Sequence, residues 1–303
     1  MPTVVYPIRL LVPKLLAIVL LAGVAEAQDH LRLRQSRQPR EPRMTLFQWS
    51  YGTSFSGGAP GMDEPLVADR PDFTEAAVTV GRGVAQLEFG YTYTYDEDGG
   101  EKVNSHSYPE PLLRVGMLAE WFEFRIGWNL AEVAEYRGGV TGGAVGSEDI
   151  YLGLKIGLTP QEGILPEMAL IPQMTVPSGH SAFTADEVLA GLNWIYAWEI
   201  NDCWSIAGST QGNGVIDEST LRRYTEITQS AVVGCSLTER IGAYTEWFGS
   251  FPYSADTAKP VHYINGGFTY SVTNNLQLDF RAGLGLNRAA DNYFLGTGSA
   301  VRF

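Results

Sequence analysis

Cysteine is nearly absent, histidine is scarce, and no apolar run is long enough to cross a membrane as a helix. Two cysteines and four histidines (His30, His106, His180 and His262) are scattered over 303 residues. No Cys/His cluster has zinc spacing, and no Gly-rich strand-to-helix loop marks a nucleotide site. The longest apolar run, Leu15 to Ala25, covers 11 residues, well short of the roughly 20 a spanning helix needs. Positive charge is also short: 21 Lys and Arg face 34 Asp and Glu, for a net charge of −13. That balance excludes nucleic acid as a natural partner.

The short apolar run has another use. Arg9 and Lys14 precede it and Ala25-Glu26-Ala27 follows it, the layout of a cleaved secretory signal. Residues 1–27 are therefore expected to be a signal peptide for Sec-type export. No Cys lies near the cleavage site, so a lipid anchor there is excluded. In an exported protein, Cys203 and Cys235 could form a disulfide. Alternation places Cys203 inward and Cys235 outward, and opposite faces do not meet. That argues against a bridge, although it depends on strand registers that the sequence does not set.

Residues 28–83 lack strand-like alternation. Arg32, Arg34, Arg37, Arg40 and Arg43 lie in a Gln- and Pro-rich stretch. It reads as a periplasmic tether, or as a contact for anionic lipid or cell-wall polymer. Residues 28–83 are expected to be a periplasmic extension or a plug segment, and residues 84–303 a separate barrel domain.

From Val84 onward, twelve segments alternate with period two. The first sets Leu87, Phe89, Tyr91, Tyr93 and Tyr95 against Gln86, Glu88, Gly90, Thr92 and Thr94. The third sets Phe122, Phe124, Ile126 and Trp128 against Glu123, Arg125 and Gly127. The eleventh sets Leu278, Phe280 and Leu284 against Gln277, Asp279, Arg281 and Gly283. The chain ends on Tyr293, Leu295, Thr297, Ser299, Val301 and Phe303, with Gly296, Gly298, Ala300 and Arg302 on the other face. A final strand closing on Phe303 is typical of bacterial outer-membrane barrels and would engage the barrel-assembly machinery.

Two arguments favour a barrel in lipid over a soluble sandwich. Short connections, such as Ala119-Glu120 and Thr273-Asn274-Asn275, alternate with long ones, such as 96–107 and 131–147. Short periplasmic turns and long outer loops give that pattern. Mid-strand charges also fall opposite the large apolar residues, and on the lipid face each Arg or Lys would cost about 2–4 kcal/mol. The fold class read from the sequence is all-β: a transmembrane antiparallel up-and-down β-barrel of about 12 strands.

Three stretches resemble a known family: Asp69-Arg70-Pro71-Asp72-Phe73-Thr74-Glu75, Gln86-Leu87-Glu88-Phe89-Gly90, and Gly283-Leu284-Gly285-Leu286-Asn287 ahead of a strand ending in Phe. Their order and spacing are similar to those of the outer-membrane transporters associated with the meta-pathway of phenol degradation, over residues 69–303. The resemblance implies an outer-membrane barrel that passes aromatic or other small organic compounds.

Two groups of residues are candidates for function. The first is the lumen-facing charges Glu88, Arg114, Glu123, Arg125, Lys155, Glu246, Asp279 and Arg281. They read as ion pairs bracing the lumen, or as a transverse field that selects solutes. The second is Asp69, Arg70, Asp72, Phe73 and Glu75. These read as a lead-in turn packed at the periplasmic rim, or as a plug folded into the barrel mouth and paired with Arg114, Arg125 or Arg281. Twelve strands make a narrow barrel that a short insert could close.

The sequence carries no catalytic constellation. A barrel phospholipase needs a paired His and Ser on the outer rim, and the strands beside His262 offer no such Ser. The acidic run Asp96 to Glu101 lacks the spacing of a calcium loop and reads as a solvated outer loop. No enzyme, metal or cofactor is expected. The expected function is passive uptake of small solutes across the outer membrane, with membrane lipid and the solute as partners. The alternative is a non-conducting structural or adhesive barrel.

Overall fold

Strands that face lipid on one side leave no open sheet edge only if the sheet closes on itself, and here it does. The computed structural model describes residues 45–47, 59–217 and 219–303. The expected signal peptide and the basic stretch Arg32–Arg43 lie outside the described residues. Among the described residues fifteen strands are formed: β1 (Ala85–Asp98), β2 (Glu101–Tyr108), β3 (Leu112–Gly116), β4 (Phe122–Gly127), β5 (Leu130–Arg137), β6 (Val140–Ser147), β7 (Ile150–Thr159) and β8 (Glu167–Val176). They continue with β9 (Leu189–Glu199), β10 (Trp204–Ile216), β11 (Arg223–Ser236), β12 (Ile241–Tyr253), β13 (Val261–Thr273), β14 (Leu276–Gly285) and β15 (Tyr293–Arg302).

Twelve of them make a closed antiparallel barrel, in the order β1, β3, β4 and then β7 through β15. The last strand returns to the first, with Gln86 opposite Arg302 and Tyr95 opposite Tyr293. Closure removes the unpaired edge that an open sheet would present to lipid. No described helix is long and apolar enough to cross a membrane; the wall is strand throughout. Large apolar side chains such as Leu154, Trp194, Phe268, Phe280 and Leu284 point outward and are exposed. The inward face carries Gln86, Glu88, Arg114, Glu123, Arg125, Lys155, Asn193 and Glu246, all buried.

The stretches expected as long loops at 96–107 and 131–147 are strand instead. β1 and β2 form a hairpin turning at Gly99-Gly100, and β5 and β6 turn at Gly138-Gly139. All four glycines have positive φ, which is what a two-residue hairpin turn requires and glycine supplies at little cost. β2 pairs with β5, so the second, third and fourth wall strands extend beyond the barrel rim as a small sheet.

That extension is offset from the barrel by a break at Pro109-Glu110-Pro111. The prolines cannot donate to a ladder, but their carbonyls accept from Gly90 N (2.7 Å) and Trp128 N (3.3 Å), which keeps the wall joined. The cysteines are both free. Cys203 lies in the turn before β10, where strand alternation no longer applies. Its side chain meets that of Cys235, contrary to the expectation from opposite faces.

Candidate luminal site

A barrel wall with this many inward charges needs partners for them, because an unpaired buried charge costs several kcal/mol. The partners come from the chain just before β1. Residues 66–80 enter at the short-turn end, where Leu66 N donates to Asn274 O at 2.7 Å. They run into the lumen and return to the same end, where Val80 N donates to Glu123 Oε2 at 2.9 Å. Asp69–Glu75 thus lies inside the barrel, not at its rim.

Asp69 is the centre of one half. Its carboxylate lies 2.8 Å from Lys155 Nζ, 2.9 Å from Arg125 Nη1 and 3.3 Å from Arg114 Nη1. Its own backbone N–H donates to Glu88 Oε1 at 3.1 Å. Lys155 Nζ and Arg114 Nη2 also donate to the carbonyls of Ala76 (2.8 Å) and Val78 (3.1 Å). Glu75 accepts from Arg125 Nη2 at 2.7 Å and from Asn193 Nδ2 at 3.0 Å. Arg114 and Glu123 form a further pair at 2.8 Å. Five of the eight lumen candidates (Glu88, Arg114, Glu123, Arg125 and Lys155) are therefore gathered on β1, β3, β4 and β7 around one stretch of backbone. Neighbouring strands mix the signs, so two opposed rows of charge do not form.

Glu246 on β12 anchors the opposite side. It accepts the backbone N–H groups of Phe73 (2.9 Å) and Thr74 (2.7 Å), the Thr74 hydroxyl (2.7 Å) and Asn265 Nδ2 (2.9 Å). Arg70 reaches Glu110 at 2.7 Å and Asp279 at 3.4 Å. Arg281 donates to Pro71 O at 2.9 Å and Thr92 Oγ1 at 3.0 Å. The Phe73 ring stacks on Phe248 with centroids 4.5 Å apart. Ala77 joins a small apolar cluster with Ala169, Ile171 and Ile195. Asp72, half-buried, lies within electrostatic reach of Glu246, Asp69 and Arg281.

Space for the segment comes from glycines on the inward face. At Gly116 a Cβ would overlap the Gly81 carbonyl, and at Gly90 it would overlap the Arg70 and Glu110 side chains. The Gly81 backbone cannot step aside as a flexible side chain can, so Gly116 admits no larger residue.

Sequence reading missed Glu110, Asn193, Phe248 and Phe294. Glu110 sits in the double-proline break with φ of 47°, and that turn aims its carboxylate at Arg70. The two prolines were its signal. Phe294 shares the inward face of Gly296, Gly298 and Ala300, whose small side chains mask an aromatic partner there. Asn193 and Phe248 carry no local signal; circumferential position alone makes them partners of the segment.

No curated protein sequence matches the chain. Among solved structures, it is similar to an outer-membrane channel from Pseudomonas putida F1, at 14% identity and a TM-score of 0.61, covering 77% of this chain and 99% of that one. That likeness shows a shared barrel fold. The transport unit of the autotransporter AIDA-I from Escherichia coli is more distant, at 9% identity and a TM-score of 0.49, over 73% of this chain and 89% of that one. The translocator domain of NalP from Neisseria meningitidis scores 0.48 at 10% identity, over 74% and 89%. Residues 68–303 match the family described as "Putative MetA-pathway of phenol degradation", a range that takes in the luminal segment and the whole barrel, and the chain belongs to that family.

Proposed function

We propose that this protein is an outer-membrane channel for passive uptake of small solutes, and that residues 66–80 are a plug that closes it at rest. The observation that carries the reading is the segment's bonding to opposite walls at once, Asp69 to Lys155 on β7 and Phe73 and Thr74 to Glu246 on β12. A lumen crossed in this way conducts only when the segment shifts. The similarity to a solved outer-membrane channel of the same architecture supports the channel role, and membership of the phenol-degradation family supports small organic compounds, aromatic ones among them, as solutes. Export by the Sec route, with residues 1–27 as signal, and insertion by the assembly machinery through the Phe303 strand complete the reading. It invokes no catalytic step and no cofactor.

The lumen charges act mainly as the plug's docking surface in this account. In the open state the same Arg114, Arg125 and Lys155 with Glu88 and Glu123 would line the passage and set its preference among solutes. A non-conducting structural barrel is the rival reading, favoured by the extent of the buried pairing around Asp69.

Solute flux separates the two. Liposomes carrying the folded protein would be swollen with small sugars and small organic acids, with the full chain and with residues 66–80 deleted. The channel reading predicts slow flux for the full chain and fast flux after deletion. No flux from either, with folding confirmed, would establish the structural barrel instead.

A further inference from the structure

The ring of Phe73 occupies a cradle built by the barrel wall. Phe248 lies under it, stacked at 4.5 Å with 21° between the planes. Phe294 meets it edge-on at 5.6 Å and 82°. Tyr263 closes the corner between them, 6.5 Å from Phe248 and 5.9 Å from Phe294. The Arg281 guanidinium stands 5.0 Å from the Phe73 centroid and 5.5 Å from that of Phe294. These four side chains come from β12, β15, β13 and β14, four adjoining strands. Gly283 leaves the room: a Cβ there would overlap the Phe294 ring. Only the ring inside belongs to the plug.

An apolar anchor for the segment would need the three rings and nothing more. Arg281 is the excess. Among the described residues it forms no ion pair, and its buried Nε has no hydrogen-bond partner. The acids of the wall are engaged elsewhere, Asp279 and Glu110 with Arg70, and Glu246 with Phe73, Thr74 and Asn265; the other acid within electrostatic reach of Arg281, Asp72, belongs to the plug. With the plug displaced, Arg281 loses Asp72 as a neighbour, and a buried guanidinium deprived of counter-charge is costly. Its Nη1 bonds only Pro71 O, a plug atom, so plug displacement frees that donor too. The plug tip itself presents an acid and a ring in succession, Asp72 and Phe73, to this place.

From this we infer that the cradle of Phe248, Tyr263, Phe294 and Arg281 is a binding site for an aromatic ring bearing a carboxylate or similar anionic group, and that Phe73 fills it at rest. The ring would stack on Phe248 in place of Phe73, and the anionic group would take the free Arg281 donors in charge-assisted hydrogen bonds. Binding there competes with the plug tip, so the ligand favours the displaced state by its preference for that state. The inference depends on the reading of residues 66–80 as a displaceable plug.

The test uses the full chain, folded in detergent, with benzoate, phenol and cyclohexanecarboxylate titrated by calorimetry. Phe73→Ala removes the internal occupant, so benzoate affinity is expected to rise about tenfold or more over the parent chain. In that background benzoate should bind more tightly than either phenol, which lacks the anion, or cyclohexanecarboxylate, which lacks the aromatic ring. Adding Arg281→Gln should lower benzoate affinity about tenfold while leaving phenol nearly unchanged, the loss of a single charge-assisted contact. Should Arg281→Gln fail to fold, Phe248→Leu in the Phe73→Ala background tests the slot instead and should weaken benzoate and phenol together. Equal benzoate affinity with and without Phe73, or indifference to both wall substitutions, would overturn the inference. Sugar flux through the protein lacking residues 66–80 uses none of these ligands, so failure of the cradle and failure of the plug reading remain distinguishable.

Discussion

The same kinds of ion pair occur at the outer rim and inside the lumen, in opposite surroundings. At the rim, Arg288 and Asp98 meet at 2.8 Å with 84% and 55% of their side chains exposed. Arg222 pairs with Asp256, and Arg223 with Glu187, in similar exposure. In the lumen, Lys155 and Asp69 also meet at 2.8 Å, but with 0% and 4% exposed. Water and salt screen the first set, so each rim pair contributes little. The second set has lost its water, so removing one partner strands the other. Equal distances therefore carry unequal consequences, and the inner pairs tie residues 66–80 to the wall.

Breaking the inner set has the largest expected effect. Asp69→Asn leaves Lys155, Arg125 and Arg114 facing one another and should cost about 3–5 kcal/mol of stability. Urea unfolding followed by tryptophan fluorescence would read it. If the loss reflects stranded charge, adding Lys155→Met should recover part of it. Next comes Gly116→Val, which puts a side chain where the Gly81 carbonyl lies. Overpacking of this kind costs about 1–3 kcal/mol. It should also expel the end of the segment and raise protease cleavage within residues 66–80.

Smaller effects belong to the outer connections. Hydrogen bonds from Thr257, with further ones from Ser219 and Thr220, hold the Asp217 carboxyl below its ordinary range. A lowered folded pKa means the contribution is present above the unfolded value and is lost as pH falls through the folded one. Hydrogen exchange at the Thr257 and Thr220 amides should therefore quicken as pH falls below the ordinary carboxylate range, relative to Asp217→Asn, with the intrinsic rate corrected. Last is Arg288→Gln, which should leave the unfolding midpoint unchanged within error at physiological salt. A measurable loss there would blur the contrast between rim and lumen.

The wall was legible because period two is a local property. Leu278, Phe280 and Leu284 against Asp279 and Arg281 need no partner to be read. The luminal charges were legible for the same reason, since a charge opposite large apolar residues has one place to go. The hairpins at Gly99-Gly100 and Gly138-Gly139 were misread as loops, although paired glycines in a turn are their signal. What the sequence did not hold is which strand faces which across the barrel. Asp69 could be named as a candidate, but its trio of cations on three strands and the opposed Glu246 follow from closure and register. The Phe73 cradle needs four strands side by side before it exists at all.

Single-channel conductance in planar bilayers tests the central claim most directly, comparing the full chain with the chain lacking residues 66–80, both confirmed folded. The account predicts a full chain that is closed or opens rarely, and steady ohmic steps after deletion. Equal conductance from the two proteins, or silence from both, would contradict a plug formed by these residues.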